Sequence, residues 1–189
     1  MTVLAGLVGM VGILLAAGGV SKGRQPTPTV RSMRAVGLPA GGAAVRTLAV
    51  VEVALGAVLL VVAGRWPCAV AAVLFTAFTA ISVRLVRLGP DAGSCGCFGD
   101  RSSPPSWWHV GVDAAAVAVL VAGALSGTTG VADHWRSLPG QGYAVLGLVA
   151  LGGYLLVALM TVLPDTMAAI HGRGETAAAG EFGLRSPTR

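Results

Sequence analysis

Apolar residues in this chain fall into five long runs, separated by short stretches that carry most of the charge, proline and glycine. The runs cover residues 2–20, 47–64, 66–83, 107–125 and 143–163. Each is apolar nearly all round rather than on one face, which is the pattern of a helix surrounded by lipid and other helices. Crossing about 30 Å of hydrocarbon takes about 20 residues of helix. The expected fold is therefore all-α: a polytopic transmembrane bundle with a four-helix core and a fifth, C-terminal span. The turn between spans two and three is Arg65-Trp66-Pro67.

The first run has 19 uncharged residues, lacks a basic segment before it and ends in Ser21-Lys22-Gly23-Arg24. That ending reads as an uncleaved span rather than a signal peptide with a small-residue cleavage site. Between spans one and two, residues 26–44 are expected to lie at the membrane surface. Val30, Met33, Val36 and Leu38 would share one side of a short helix there, with Arg31 and Arg34 at the headgroups. Residues 1–164 are read as one transmembrane domain, and residues 165–189, rich in Gly, Ala, Pro and Thr, as a disordered cytoplasmic tail.

Composition agrees with the pattern: 54% of residues are hydrophobic and 11% charged, against roughly 25% charged in a soluble domain. The net charge of +5 does not point to nucleic acid, because the basic residues sit between the apolar runs and form no stripe. Five spans put Lys22, Arg24, Arg31, Arg34, Arg46, Arg84, Arg87, Arg101, Arg173, Arg185 and Arg189 on one side, and only Arg65 and Arg136 on the other. Basic loops stay inside. The expected location is the cell membrane, with the N-terminus outside, the C-terminus cytoplasmic, and the lipid bilayer as the first partner.

The candidate chemistry lies in Ser94-Cys95-Gly96-Cys97-Phe98-Gly99-Asp100, between spans three and four. Two of the three cysteines stand one residue apart, and Gly96 removes the side chain that would resist a sharp bend. A disulfide closed across so small a ring is strained and easily reduced, which suits exchange. Zinc is the chemical rival, but a structural site normally needs four ligands. Only His109 and Asp100 lie close in sequence, so no metal is assigned. A third reading makes the Cys-Gly-Cys turn purely structural. Cys68 begins span three, a full span away from the Cys pair, and reads as a small apolar residue.

Glu52 and Asp113 interrupt spans two and four. An intramembrane carboxylate is costly unless paired, protonated or hydrated, so both should face the bundle interior. Lys22 and Arg46 lie at the matching edge with stems long enough to reach inward, and Lys22 is expected to pair with Glu52. These charges either fix helix packing or exchange protons while the thiols exchange electrons. Small residues such as Gly56, Ala57 and Ala114 to Ala116 would allow close helix contact.

These residues together resemble the methylamine utilization protein MauE family, within the wider DoxX-like group of redox-associated membrane proteins. The likeness covers the first four spans. It rests on Ser21-Lys22, Gly37-Leu38-Pro39, Glu52 and above all Cys95-Gly96-Cys97-Phe98-Gly99. Relatives often carry Arg-Asn early in span four, where this chain has Val112-Asp113, and the fifth span and tail are additional. The resemblance implies a role in maturing a partner by thiol-disulfide exchange. In the named relatives, that partner is the disulfide-rich small subunit of methylamine dehydrogenase, supported in its processing, transport or disulfide formation. With the residue reading above, Cys95 and Cys97 are expected to be the redox pair, supported by Gly96, Phe98, Gly99, Lys22, Glu52 and Asp113. Expected partners are a thioredoxin-like protein or a disulfide-containing client. No nucleotide-binding loop, haem motif or hydrolase constellation is visible, and no cofactor is assigned. Quinone would enter only through the redox company the resemblance implies. The alternatives are a non-catalytic membrane assembly factor and, behind it, a small-solute transporter, for which the spans lack an inverted repeat.

Overall fold

A helix that is apolar all round still has to choose which stripe meets its neighbours, and in this protein small and polar residues make that choice. The computed structural model describes residues 2–89, 106–132 and 143–161. Among these are six helices: α1 (Thr2–Arg24), α2 (Pro26–Ala35), α3 (Gly42–Val61), α4 (Arg65–Leu88), α5 (Trp107–Ser126) and α6 (Tyr143–Thr161). All but α2 are long and apolar enough to span a membrane, as the runs predict.

The spans differ from the sequence boundaries where local chemistry extends a helix. Ser21-Lys22-Gly23-Arg24 continues α1, and α3 begins at Gly42 rather than Thr47. Glu52 therefore lies ten residues into α3, about 15 Å along its axis, rather than the five residues in from Thr47 that the apolar run implies. Arg65-Trp66-Pro67 is the first turn of α4 and not the link, because a proline in a first turn leaves no needed donor missing. The link is instead Val62-Ala63-Gly64, in which Ala63 and Gly64 take positive φ of 47° and 93°. The α4 helix runs on to Leu88, so Arg84 and Arg87 are exposed on its last turns instead of in a loop.

The surface segment does contain a short helix. Pro26 starts α2, and Gly37, at φ 83°, ends it. The Leu38 N–H donates to the Met33 carbonyl and the Gly37 N–H to Arg34, both at 2.9 Å, so two otherwise unpaired carbonyls of the last turn are capped. Pro39 then prevents the helix from resuming. The face turned inward carries Thr29, Ser32 and Val36, while Leu38 is exposed. The expected apolar side is thus only partly the buried one, since Val30 and Met33 are half-buried.

Buried positions in α3 are Val45, Ala49, Glu52, Gly56 and Leu59, and in α5 His109, Asp113, Ala116, Leu120 and Gly123. Both series step by four and three residues in turn, the narrow seam of knobs-into-holes packing. Ala57, Ala114 and Ala115 fall off that seam and are exposed, so Gly56 and Ala116 are the small residues that mediate contact.

Two antiparallel pairs make the core, α1 with α3 and α4 with α5. A Cβ on Gly56 would lie 2.6 Å from the Gly12 carbonyl oxygen, and one on Gly19 2.7 Å from that of Ala49. Only glycine permits such backbone approach, as in other membrane helix pairs joined through small residues. Half of α1 is buried, against 17% of α6. That contrast makes α1 the central helix and α6 a peripheral one, which runs parallel to α1 with Gly152 on Met10 and Gly153 on Ile13.

Candidate functional site

Polar residues on an apolar seam have to find one another, and here they converge at the end of the bundle where α1, α4 and α6 finish and α5 begins. Lys22 sits in the last turn of α1. Its Nζ donates to Glu52 Oε2 at 2.9 Å, with both side chains buried. The expected pairing is thus present, and it ties span one to span two. Arg46, the other candidate, is exposed. The Lys22 ammonium also lies 5.0 Å from the centroid of the Phe78 ring, a cation–π distance that links α1 to α4.

Asp113 lies six residues into α5, on the seam. Its Oδ2 accepts a hydrogen bond from Ser82 Oγ of α4 at 3.3 Å. Lys22 and Asp113 border one partly open cavity of about 30 Å³, whose other walls are Leu14, Leu15, Gly18, Phe75, Phe78 and Met160. One turn nearer the start of α5, buried His109 has Nδ1 2.9 Å from Ser106 Oγ and lies within hydrogen-bonding reach of the Met160 backbone. His109 therefore ties α5 to α6. Among the described residues, no three His, Cys, Asp or Glu side chains form a metal-holding group.

Of the sequence-predicted site residues, Lys22, Glu52 and Asp113 are brought together. Cys95, Gly96, Cys97, Phe98 and Gly99 lie outside the described residues, as do Asp100 and Arg101. The segment that holds them leaves from Gly89 and returns at Ser106, at the same end of the bundle as the polar cluster. Sequence reasoning missed Ser82, Phe78 and Met160. Ser82 carried a signal, being the hydroxyl seven residues after Phe75 on the buried face of α4. Met160 carried none, because one methionine in an apolar span resembles any other.

Cys68 is fully buried and free. Its Sγ would lie 3.1 Å from a Cβ on Gly123, so it fills the α4–α5 contact at the far end, as expected of a small apolar residue. That end is closed by main chain. Ala63 and Thr129 form an isolated antiparallel bridge, and the Gly64 N–H donates to the Thr128 carbonyl at 2.8 Å. Gly130 packs directly on the Val61 carbonyl, and Gly127 adopts a left-handed conformation at φ 65°.

Comparison with known proteins places these features in one family. No curated protein and no solved structure matches the chain. The family described as methylamine utilisation protein MauE matches residues 1–129, which takes in α1 to α5, the Lys22–Glu52 pair, Asp113 and the Cys95-Gly96-Cys97 segment, and stops before α6. This multi-pass membrane protein therefore belongs to the MauE family, with α6 lying beyond the matched region.

Proposed function

We propose that this protein is a membrane thiol-disulfide exchange component, with Cys95 and Cys97 as its redox pair. The family match across the Cys-Gly-Cys segment carries the reading. It is supported by the buried Lys22–Glu52 pair and Asp113, which lie at the bundle end from which that segment departs. In the exchange, a thiolate of a partner dithiol attacks the Cys95–Cys97 disulfide, forming a mixed disulfide and releasing one cysteine as thiolate. The partner's second thiolate then resolves the mixed disulfide. The partner is oxidised by two electrons, and Cys95 and Cys97 are reduced by the same two. The partner is a thioredoxin-like protein or a disulfide-containing client. For the named family that client is the methylamine dehydrogenase small subunit, and the general exchange role is the part we extend to this chain.

The basic residues support a cytoplasmic face for the polar end, with the N-terminus outside. An impermeant maleimide, applied to intact cells and inverted vesicles in a Cys68→Ala background before and after reduction, tests both points. Labelling confined to reduced, inverted vesicles is the expected result. Reduction-dependent labelling of intact cells reverses the orientation. Labelling indifferent to reductant overturns the redox role.

One observation favours a second reading, in which the protein is a non-catalytic assembly factor. The buried charged side chains that are described, Lys22, Glu52 and Asp113, each tie one helix to another, as structural residues would. Function retained after Cys95→Ser and Cys97→Ser would establish that reading.

A further inference from the structure

We propose that Asp113 is the proton-binding carboxyl of the bundle, and that the cavity it shares with Lys22 holds one water molecule through which the proton arrives. The inference deepens the redox reading at its proton side and rests on that reading for its use, while the site itself is testable apart from the cysteines.

The allocation of the single ammonium decides which carboxyl is involved. Among the described residues, the buried polar end holds two carboxyl groups, Glu52 and Asp113, and one lysine. Lys22 donates to Glu52 Oε2 at 2.9 Å. Glu52 Oε1 is buried with no hydrogen-bond partner, so the Lys22 ammonium is committed to Glu52 through Oε2. Asp113 has instead the neutral Ser82 hydroxyl at 3.3 Å, with Lys22 acting on it across the cavity. With Glu52 and Lys22 cancelling, an ionised Asp113 would leave a net negative charge among apolar walls, an arrangement that membrane interiors strongly disfavour. A proton on Asp113 makes the cluster neutral.

The groups around Asp113 leave the role to it. From α1 comes Lys22, from α3 Glu52 behind it, from α4 Ser82 and Phe78, and from α6 Met160, which carries no ionisable group. His109, on the same helix, is engaged with Ser106 and the Met160 backbone. The cavity, about 30 Å³, has the volume of one water molecule, and Lys22 and Asp113 give such a water the two polar partners it needs. Proton transfer is then simple: a hydronium arriving at the cavity gives its proton to the Asp113 carboxylate and remains as the bound water. A thiolate set free in the exchange takes up one proton, and a protonated Asp113 is a donor of that kind.

Infrared spectroscopy of the full-length protein in lipid at neutral pH tests the proposal. The wild type is expected to show the C=O band of a protonated carboxyl that shifts promptly in heavy water. The band should vanish in Asp113→Asn and persist in Glu52→Gln. Absence of the band from the wild type overturns the proposal without reference to any variant, so a misfolded mutant cannot rescue it. Loss of the band in Glu52→Gln with retention in Asp113→Asn also overturns it, and a band that fails to shift in heavy water overturns the water path. In a Cys95→Ser/Cys97→Ser protein the band should persist. If thiol exchange proves absent from the wild type while the band is present, the redox reading fails and the proton site stands.

Discussion

The two ends of the bundle are held together by opposite means. At the end where α1 finishes, charged and polar side chains make the joints: Lys22 to Glu52, Ser82 to Asp113, His109 to Ser106 and the Met160 backbone. At the other end the joint is main chain and close packing, with the Ala63–Thr129 bridge, the Gly64–Thr128 hydrogen bond and Cys68 against Gly123. Backbone joints are satisfied in one geometry and carry no titratable group. Side-chain joints leave charge and a cavity behind. On the proposed reading, chemistry belongs to the first end and anchoring to the second, and substitutions at either end can break that contrast.

The largest effect is expected from Lys22→Met, which strands Glu52 inside the bundle. Removing one partner of a buried ion pair costs about 3–5 kcal/mol, so thermal unfolding in detergent should fall steeply. Adding Glu52→Gln should recover most of the loss. If the single variant unfolds like the wild type, the polar end is not a joint. Next comes Gly130→Ala at the anchoring end, where a Cβ would run into the Val61 main chain. Overpacking of this kind costs about 1–3 kcal/mol, and the exchange reaction of Cys95 and Cys97 should remain intact in the protein that folds. Loss of exchange at full stability would show that the two ends are coupled.

Ser82→Ala should cost less, about 0.5–1.5 kcal/mol for one hydrogen bond. It is nevertheless expected to move the infrared band of Asp113, a readout that packing alone would leave still. The smallest effect belongs to Cys68→Ala, with a loss of about 1 kcal/mol at a buried small side chain and unaltered thiol exchange. A Cys68→Ala protein that is stable but unable to exchange would make Cys68 a second redox station.

Much of this was legible along the chain. Runs of apolar residues fix the number of spans, because backbone polar groups in lipid have to be satisfied within a helix. A lone glutamate or aspartate in such a run has to face inward, which made the Lys22–Glu52 pair readable once Lys22 was seen at the same edge. The Gly37-Leu38-Pro39 motif likewise has a local meaning, since its glycine and proline stop α2 through their own backbone restrictions. The proposed Cys95-Gly96-Cys97 chemistry rests on the spacing of the motif and on the family match.

Tertiary structure decided the rest. Helix ends moved because capping and proline placement, rather than hydropathy, end a helix: α4 extends to Leu88 and takes Arg84 and Arg87 with it. Hydropathy is equally blind to which stripe of a uniformly apolar helix meets a neighbour, so it could not separate Gly56 from Ala57 or Ala116 from Ala114. Nor could it show that Ser82, Phe78 and Met160 surround the carboxyl and lysine. The residues of one chain determine that polar groups have to be buried together, because lipid offers them nothing. Which groups share one lysine, and which is left to a hydroxyl and a cavity, depends on the distances between helices that only packing sets.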